Sequence, residues 1–365
     1  MNLPTPLAET TRRGQGEIRL WTIIRAFAAL WVVLFHFKAH IAFPLTSLPL
    51  IGRPIASGNI GVDLFFVLSG LVMGLVYGLA RKSDGFRYGD FLMKRFSRIY
   101  PVHLVTLIGA LLMLVVGYSF SLASVDPATV LRALPLQVLL LHGVGIGGAD
   151  SLNYPSWSVS AEMLAYLCFP LLAGLVHALR SRPVVALAVS IGAVLIADGS
   201  GVMVSSPAVR VLVDFTFGLA CSRFLGCDIA AGLGWILFLA SVALTFGLIA
   251  VGVSEGPIVL GFGGILLGAY YADPALTSGP MTSALLFLGR ISYSIYMVHA
   301  LIEAPGFLIA QRLTGSSHNQ NPTWVLIPLF LMVGLAATAC YYVVEQPGRR
   351  WILRRWRERA GFQQD

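Results

Sequence analysis

The feature that most constrains this chain is a succession of apolar runs, each long enough to cross a bilayer. A helix rises about 1.5 Å per residue, so about 20 mostly apolar residues span a hydrocarbon core of about 30 Å. Such runs occupy residues 21–41, 58–80, 101–119, 157–179, 183–200, 207–225, 230–252, 256–272, 283–311 and 323–346. Of the 365 residues 57% are hydrophobic and only 12% charged, against about 25% charged in a soluble domain. That excludes a water-soluble globule. The expected fold is all-α, a polytopic transmembrane helix bundle of about ten spans.

An eleventh candidate, 130–146, is shorter, carries Pro135 and ends in a glycine-rich stretch. Short cytoplasmic loops carry the excess of Lys and Arg. Ten spans with both termini cytoplasmic place 20 of these residues inside and 5 outside, whereas a crossing at 130–146 changes the split to 12 against 13. The expectation is therefore ten spans, with 130–146 a re-entrant or surface segment on the outer side. Non-helical backbone at that depth is tolerated where protein or water lines it.

Three regions follow: a cytoplasmic tail at 1–20, a membrane domain at 21–347 and a basic cytoplasmic tail at 348–365. The first apolar run has no convincing cleavage site and reads as a retained span. There is no internal repeat, and no separate soluble domain is expected after the last span. The formal charge of +8 is distributed beside the apolar runs, which fits anionic lipid and membrane orientation better than nucleic acid. In the C-terminal tail, arginines alternate with Trp351 and Trp356, a composition suited to an anionic leaflet. The four cysteines (Cys168, Cys221, Cys227, Cys340) show no CxxC spacing, so neither a disulfide framework nor a metal site is expected.

Ionisable residues inside spans are costly and usually face a cavity or a partner. In the first run Arg25 and His36 stand eleven residues apart. That is about three helical turns, which puts both on one face, separated by about 16 Å. Asp63 enters the second run from the outer side, at a depth where it could orient His36 as a carboxylate orients a catalytic base. Capping of its own helix is the alternative. Arg95 and Arg98, in an expected cytoplasmic loop ending in Tyr100 and Pro101, have a spacing suited to gripping phosphates; membrane orientation alone is the plainer reading. Ser158 and Glu162 share a face at i and i+4 and can line a pocket for a hydroxyl-bearing substrate, with Trp157 as a stacking surface for a sugar; helix capping by Ser156 or Ser158 is the alternative. Ser292, Tyr296 and His299 form a polar stripe that can serve a substrate or simply bond neighbouring helices. The length of this ninth run, with Gly289 and Pro305, suggests tilt or a break.

Together these residues resemble the acyltransferase-3 family. The resemblance rests on Arg25 and His36 with ten residues between them, Gly61–Gly70 (GVDLFFVLSG), Arg95–Pro101 (RFSRIYP), Trp157–Glu162 (WSVSAE), Ile291–Tyr296 (ISYSIY) with His299, and Glu345-Gln346-Pro347. Met163 departs from the pattern, since many members carry a polar or acidic residue there. The resemblance implies an O-acyltransferase of the inner membrane that moves an acyl group, usually acetyl, from cytoplasmic acyl-CoA to a hydroxyl. The acceptor would be a carbohydrate, a cell-surface polysaccharide or its lipid-linked precursor. The resemblance makes Arg25 and His36 an essential pair. Joined to the topology, it suggests that Arg25, Arg95 and Arg98 bind the acetyl-CoA donor and that His36, Asp63 and Glu162 are catalytic. Trp157, Ser158, Ser292, Tyr296 and His299 would meet the acceptor, with no metal and no nucleic acid involved. The rival class is a proton-coupled transporter or flippase, against which the lack of inverted repeats argues.

Overall fold

The apolar runs become helices throughout the described residues, 16–77, 86–119, 127–145 and 152–359, of the computed structural model. Among these residues the only β pairing is a bridge between Ile41 and Asn321. In chain order the helices are α1 (Arg19–Phe37), α2 (Gly61–Tyr77), α3 (Tyr88–Ser119), α4 (Pro127–Val138), α5 (Ser156–Ala178), α6 (Pro183–Gly199) and α7 (Pro207–Cys221). They continue with α8 (Ala231–Val251), α9 (Glu255–Ala272), α10 (Pro280–Arg290), α11 (Ser292–Thr314), α12 (Leu326–Cys340) and α13 (Gln346–Arg359). Shorter helical turns fill the connections. The expected tail residues before 16, together with Arg81 and Lys82, lie outside the described residues.

Among the described residues, eight helical stretches are long and apolar enough to cross a membrane: Arg19–His40, Gly58–Tyr77, Tyr88–Ser119, Ser156–Ala178, Ala231–Val251, Glu255–Ala275, Ser292–Thr314 and Thr323–Arg359. The runs expected at 183–200 and 207–225 form the shorter helices α6, of 17 residues, and α7, of 15, about 26 and 22 Å long. Helix α7 begins where Ser206 accepts a hydrogen bond from the Val209 amide at 3.3 Å, followed by Pro207 at the first helical position, the usual start signals. Large apolar side chains face outward along the bundle, among them Val184, Val189 and Ile196 of α6, Leu233, Ile236 and Leu244 of α8, and Ile327, Leu331 and Leu335 of α12. A soluble monomer does not expose that much apolar surface; lipid tails accept it.

Small residues decide how closely the helices approach. Helices α2 and α7 run parallel with their backbones in contact. A Cβ on Gly70 would lie 2.0 Å from the Phe215 carbonyl oxygen, and one on Gly218 would lie 2.0 Å from that of Val67. The ninth run breaks at Ile291, between α10 and α11. There Gly289 lies against α1, so closely that a Cβ would come 1.9 Å from the Thr22 carbonyl oxygen.

Two expectations need revision or refinement. Residues 94–101 are not a loop: α3 starts at Tyr88 and runs through Pro101 for 32 residues, about 48 Å, so its first turns project past a core of about 30 Å. The segment 130–146 overlaps α4, whose 12 residues extend only about 18 Å. It is fastened to the bundle by hydrogen bonds from the His103 ring to the Gln137 carbonyl (2.8 Å), from the Gly143 amide to Ser160 Oγ (3.0 Å) and from Ser160 Oγ to the Leu140 carbonyl (2.6 Å).

Candidate active site

A cavity of about 260 Å³ lies between α1, α2, α3, α5 and α11. Its lining follows α2 from Val62 to Val76, about 21 Å of helix. One end, beside the start of α1, carries Arg25, Arg95 and Arg98. Because Arg95 and Arg98 sit three apart on a helix, they share a face. Among the described residues none of the three has a hydrogen bond or ion pair to protein; the Arg95 Nε is buried without a partner. The carboxylates within their electrostatic reach are Glu162 and Glu345. Both are already engaged: Glu162 accepts from Ser69 Oγ at 2.8 Å and Tyr166 Oη at 2.5 Å, and Glu345 accepts from Ser294 Oγ at 2.7 Å.

Ser158 and Glu162, one turn apart on α5, both line this cavity, as do Ser292 and Tyr296 on α11. Ser292 Oγ is buried with no partner among the described residues. A buried hydroxyl without a partner is costly. The other end of the cavity closes at a hydrogen bond of 2.7 Å between Ser158 Oγ and Tyr296 Oη, with Tyr296 Oη also donating to the Pro155 carbonyl at 2.9 Å.

Beyond that closure stand His36 and His299, their ring centroids 5.3 Å apart. The His299 Nδ1 is 2.7 Å from the Tyr296 carbonyl. A carbonyl can only accept, so the proton resides on Nδ1 and the neutral ring presents a bare Nε2. That Nε2 is buried without a partner among the described residues. The His36 ring lies 4.6 Å from that of Tyr154, whose hydroxyl donates to Glu303. Glu303 in turn holds His40 Nε2 at 2.9 Å, and His40 Nδ1 reaches Asn319 Oδ1 at 2.9 Å. Tyr154, His40 and Glu303 were missed by sequence reasoning. Glu303 prolongs the stripe Ser292, Tyr296, His299 by one turn, and that periodicity was the available signal.

Two expected site residues lie elsewhere. Asp63 does not meet His36. It is fully buried, and Arg210 of α7 donates to both of its oxygens, from Nε at 2.5 Å and Nη2 at 2.6 Å. Arg210 Nη2 also reaches Glu255 Oε2 at 3.0 Å. The close α2–α7 packing brings these groups together, so Asp63 joins helices rather than orienting the imidazole. Trp157 packs edge-on against Phe66, with ring centroids 6.2 Å apart, and is absent from the cavity lining.

The chain's sequence matches the family model described as an acyltransferase domain over residues 21–344. The chain belongs to the acyltransferase-3 family. It is 27% identical to the acyltransferase MdmB of Streptomyces mycarofaciens over 373 aligned residues, covering 92% of each chain. It is also 30% identical to Protein 2 in the picA locus of Rhizobium radiobacter over 152 residues, 39% of this chain and 74% of that one. No solved structure matches it. As an acyltransferase-3 protein with several membrane-length helices, the chain is a multi-pass membrane acyltransferase. The described residues contain no cluster of metal-ligating side chains.

Proposed function

We propose that this acyltransferase moves an acyl group, acetyl by preference, from cytoplasmic acyl-CoA to a hydroxyl of a carbohydrate acceptor. A cell-surface polysaccharide or its lipid-linked precursor is the acceptor class we favour. The observation that carries the reading is a single cavity with three protein-unpaired guanidinium groups at one end and hydroxyl-bearing side chains at the other. Guanidinium groups at such a site match the geometry and charge of phosphates. In this reading Arg25, Arg95 and Arg98 hold the phosphates of coenzyme A at the cytoplasmic end. The acyl-pantetheine arm follows α2, and Glu162, Ser158, Ser292 and Tyr296 line its path.

For the chain to act across the inner membrane, both termini face the cytoplasm, ten runs cross, and 130–146 stays on the outer side. Cysteine accessibility at Leu152 and Ser181 tests this orientation. Labelling of Leu152 from the cytoplasm alone overturns it.

His36 is the proposed base. A neutral imidazole takes the acceptor hydroxyl proton as that oxygen bonds to the thioester carbonyl carbon. Collapse of the tetrahedral species breaks the C–S bond. The coenzyme A thiolate leaves and recovers the proton. His299, with its bare Nε2 beside His36, would accept a hydrogen bond from the acceptor. An acyl-histidine route is the covalent variant, marked by label retained on protein without acceptor.

The test is incubation of purified protein with radiolabelled acetyl-CoA and glycan. Label on the glycan with wild type and none with His36→Ala supports the reading, provided the variant inserts and folds. A higher KM for acetyl-CoA in Arg98→Ala supports the donor site. Transport of glycan without label transfer favours the carrier class, and wild-type turnover by His36→Ala ends the catalytic role of that residue.

A further inference from the structure

Helix α13 begins as an extension of the last apolar run, but a π-helical turn at Tyr341–Glu345 separates it from α12. A π turn inserts one residue into the helical register and rotates all that follows by about 100°. Such turns are rare and frequently mark functional sites. Here Glu345 is turned inward and buried, with its carboxylate on Ser294. Arg349, four residues on, lies on the same face.

The packing of α13 fixes where that face points. The helix runs antiparallel along the first turns of α3. Gly348 lies against Pro101, where a Cβ would approach the proline ring to 2.7 Å, and Trp356 lies against Gly89. Trp356 Nε1 also donates to Asp90 Oδ1 at 2.7 Å. This register sets Arg349 beside the turn that carries Arg98 and Arg95, and the charges of both act on it. Arg349 is exposed and makes no hydrogen bond or ion pair among the described residues. Of the arginines in the C-terminal helix, Arg354 and Arg355 engage Glu358, while Arg349 lies within the field of the like charges of α3. Four guanidinium groups here face two carboxylates, Glu162 and Glu345, so the cluster keeps a positive excess that suits an anion. With Arg25, Arg95 and Arg98 set against Glu162 and Glu345, the cavity group alone has a net charge near +1. A coenzyme A nucleotide brings about four negative charges.

We propose that Arg349 is a fourth phosphate-binding guanidinium, placed by the π turn at the cytoplasmic mouth of the donor cavity, and that it makes the enzyme favour a nucleotide-bearing thioester over acyl-pantetheine. This rests on the acyl-CoA reading above. Three donors separate the roles of the donor's parts: acetyl-CoA, 3′-dephospho-acetyl-CoA and acetyl-pantetheine. An anionic lipid headgroup offers the same phosphate chemistry, so the experiment is run with full-length protein in phosphatidylcholine and in phosphatidylglycerol nanodiscs.

Arg349→Ala is expected to raise KM for acetyl-CoA about tenfold, the loss of one charge-assisted contact at a half-open site, with kcat within about twofold. KM for acetyl-pantetheine is expected to stay unchanged, Arg349→Lys to fall between, and Arg350→Ala to match wild type. The difference should hold in both lipids. An equal KM for acetyl-CoA in Arg349→Ala and wild type overturns the proposal while leaving the acyl-CoA reading intact. An effect confined to phosphatidylglycerol, or one equal for acetyl-CoA and acetyl-pantetheine, assigns Arg349 to lipid or to structure and also overturns it. Failure of wild type to use acetyl-CoA at all ends both.

Discussion

Asp63→Asn separates two roles for a carboxylate that the sequence places near the proposed base. Asp63 is buried under a two-point contact with Arg210, and Arg210 also touches Glu255. Removing one partner of a buried ion pair costs about 3–5 kcal/mol, because the survivor keeps its desolvation penalty and loses its counter-charge. In Asp63→Asn the guanidinium still has Glu255 at 3.0 Å, so the lower end of the range applies, about 3 kcal/mol. Arg210→Ala is harsher. It leaves Asp63, Asp214 and Glu255 together without their cation. The upper end, about 5 kcal/mol, follows. At about 2 °C per kcal/mol for a chain of this size, the expected losses in Tm are about 6 °C and 10 °C. Thermal unfolding in detergent reads them, alongside acyl transfer per folded molecule, which should stay within about threefold of wild type for Asp63→Asn. An unchanged Tm with transfer reduced by about 100-fold, the scale of a lost acid–base group, would refute the reasoning and return Asp63 to the reaction.

Gly218→Ala should cost about 1–3 kcal/mol of stability, read as lower Tm and poorer extraction of monodisperse protein, since its Cβ would stand 2.0 Å from the Val67 carbonyl oxygen; unaltered stability contradicts the close α2–α7 packing. Glu303→Gln should reduce kcat and leave KM for acetyl-CoA unchanged, because Glu303 binds Tyr154 and His40 and is absent from the lining of the arginine-bearing cavity; a rise in donor KM alone is the contrary result. Glu17, just before α1, is ion-paired with Arg290 at 2.8 Å, and the hydrogen bond from that guanidinium holds its carboxyl below the ordinary value of 4.5. The stability it adds is therefore present above the ordinary carboxylate range and lost as pH falls through the lowered value. The Tm difference between wild type and Glu17→Gln should shrink on acidification below about pH 4.5, and a gap that widens there contradicts the assignment.

Co-location of the arginines and polar side chains was legible wherever one helix carried the information. Arg95 with Arg98, Ser158 with Glu162, and Ser292 with Tyr296 are each a turn apart, and helical geometry alone puts each pair on one face. Assignment of Arg95 and Arg98 to a loop failed for a local reason: charges and Pro101 resemble a helix stop, yet proline removes one N–H and a long helix can absorb it when neighbours pack around it. The partner of Asp63 was not legible. Arg210 lies 147 residues away in sequence, and only the α2–α7 glycine contact makes it a neighbour. Glu303 lay hidden because His299 ended the motif under consideration, although the same face continues one turn further.

The hydrogen bond between Ser158 and Tyr296 gives the bundle an electrical property. A water-filled passage running the length of a membrane protein conducts protons and ions, so an enzyme that passes an acyl group across a bilayer must never be open at both ends. Here a contact between two hydroxyls, backed by the Pro155 carbonyl, stands between the arginine-lined cavity and the paired imidazoles. Breaking it costs about 1 kcal/mol, small enough for the proposed thioester donor to supply. If the proposed transfer holds, the same two side chains would insulate one side of the membrane from the other and part where the acyl group passes.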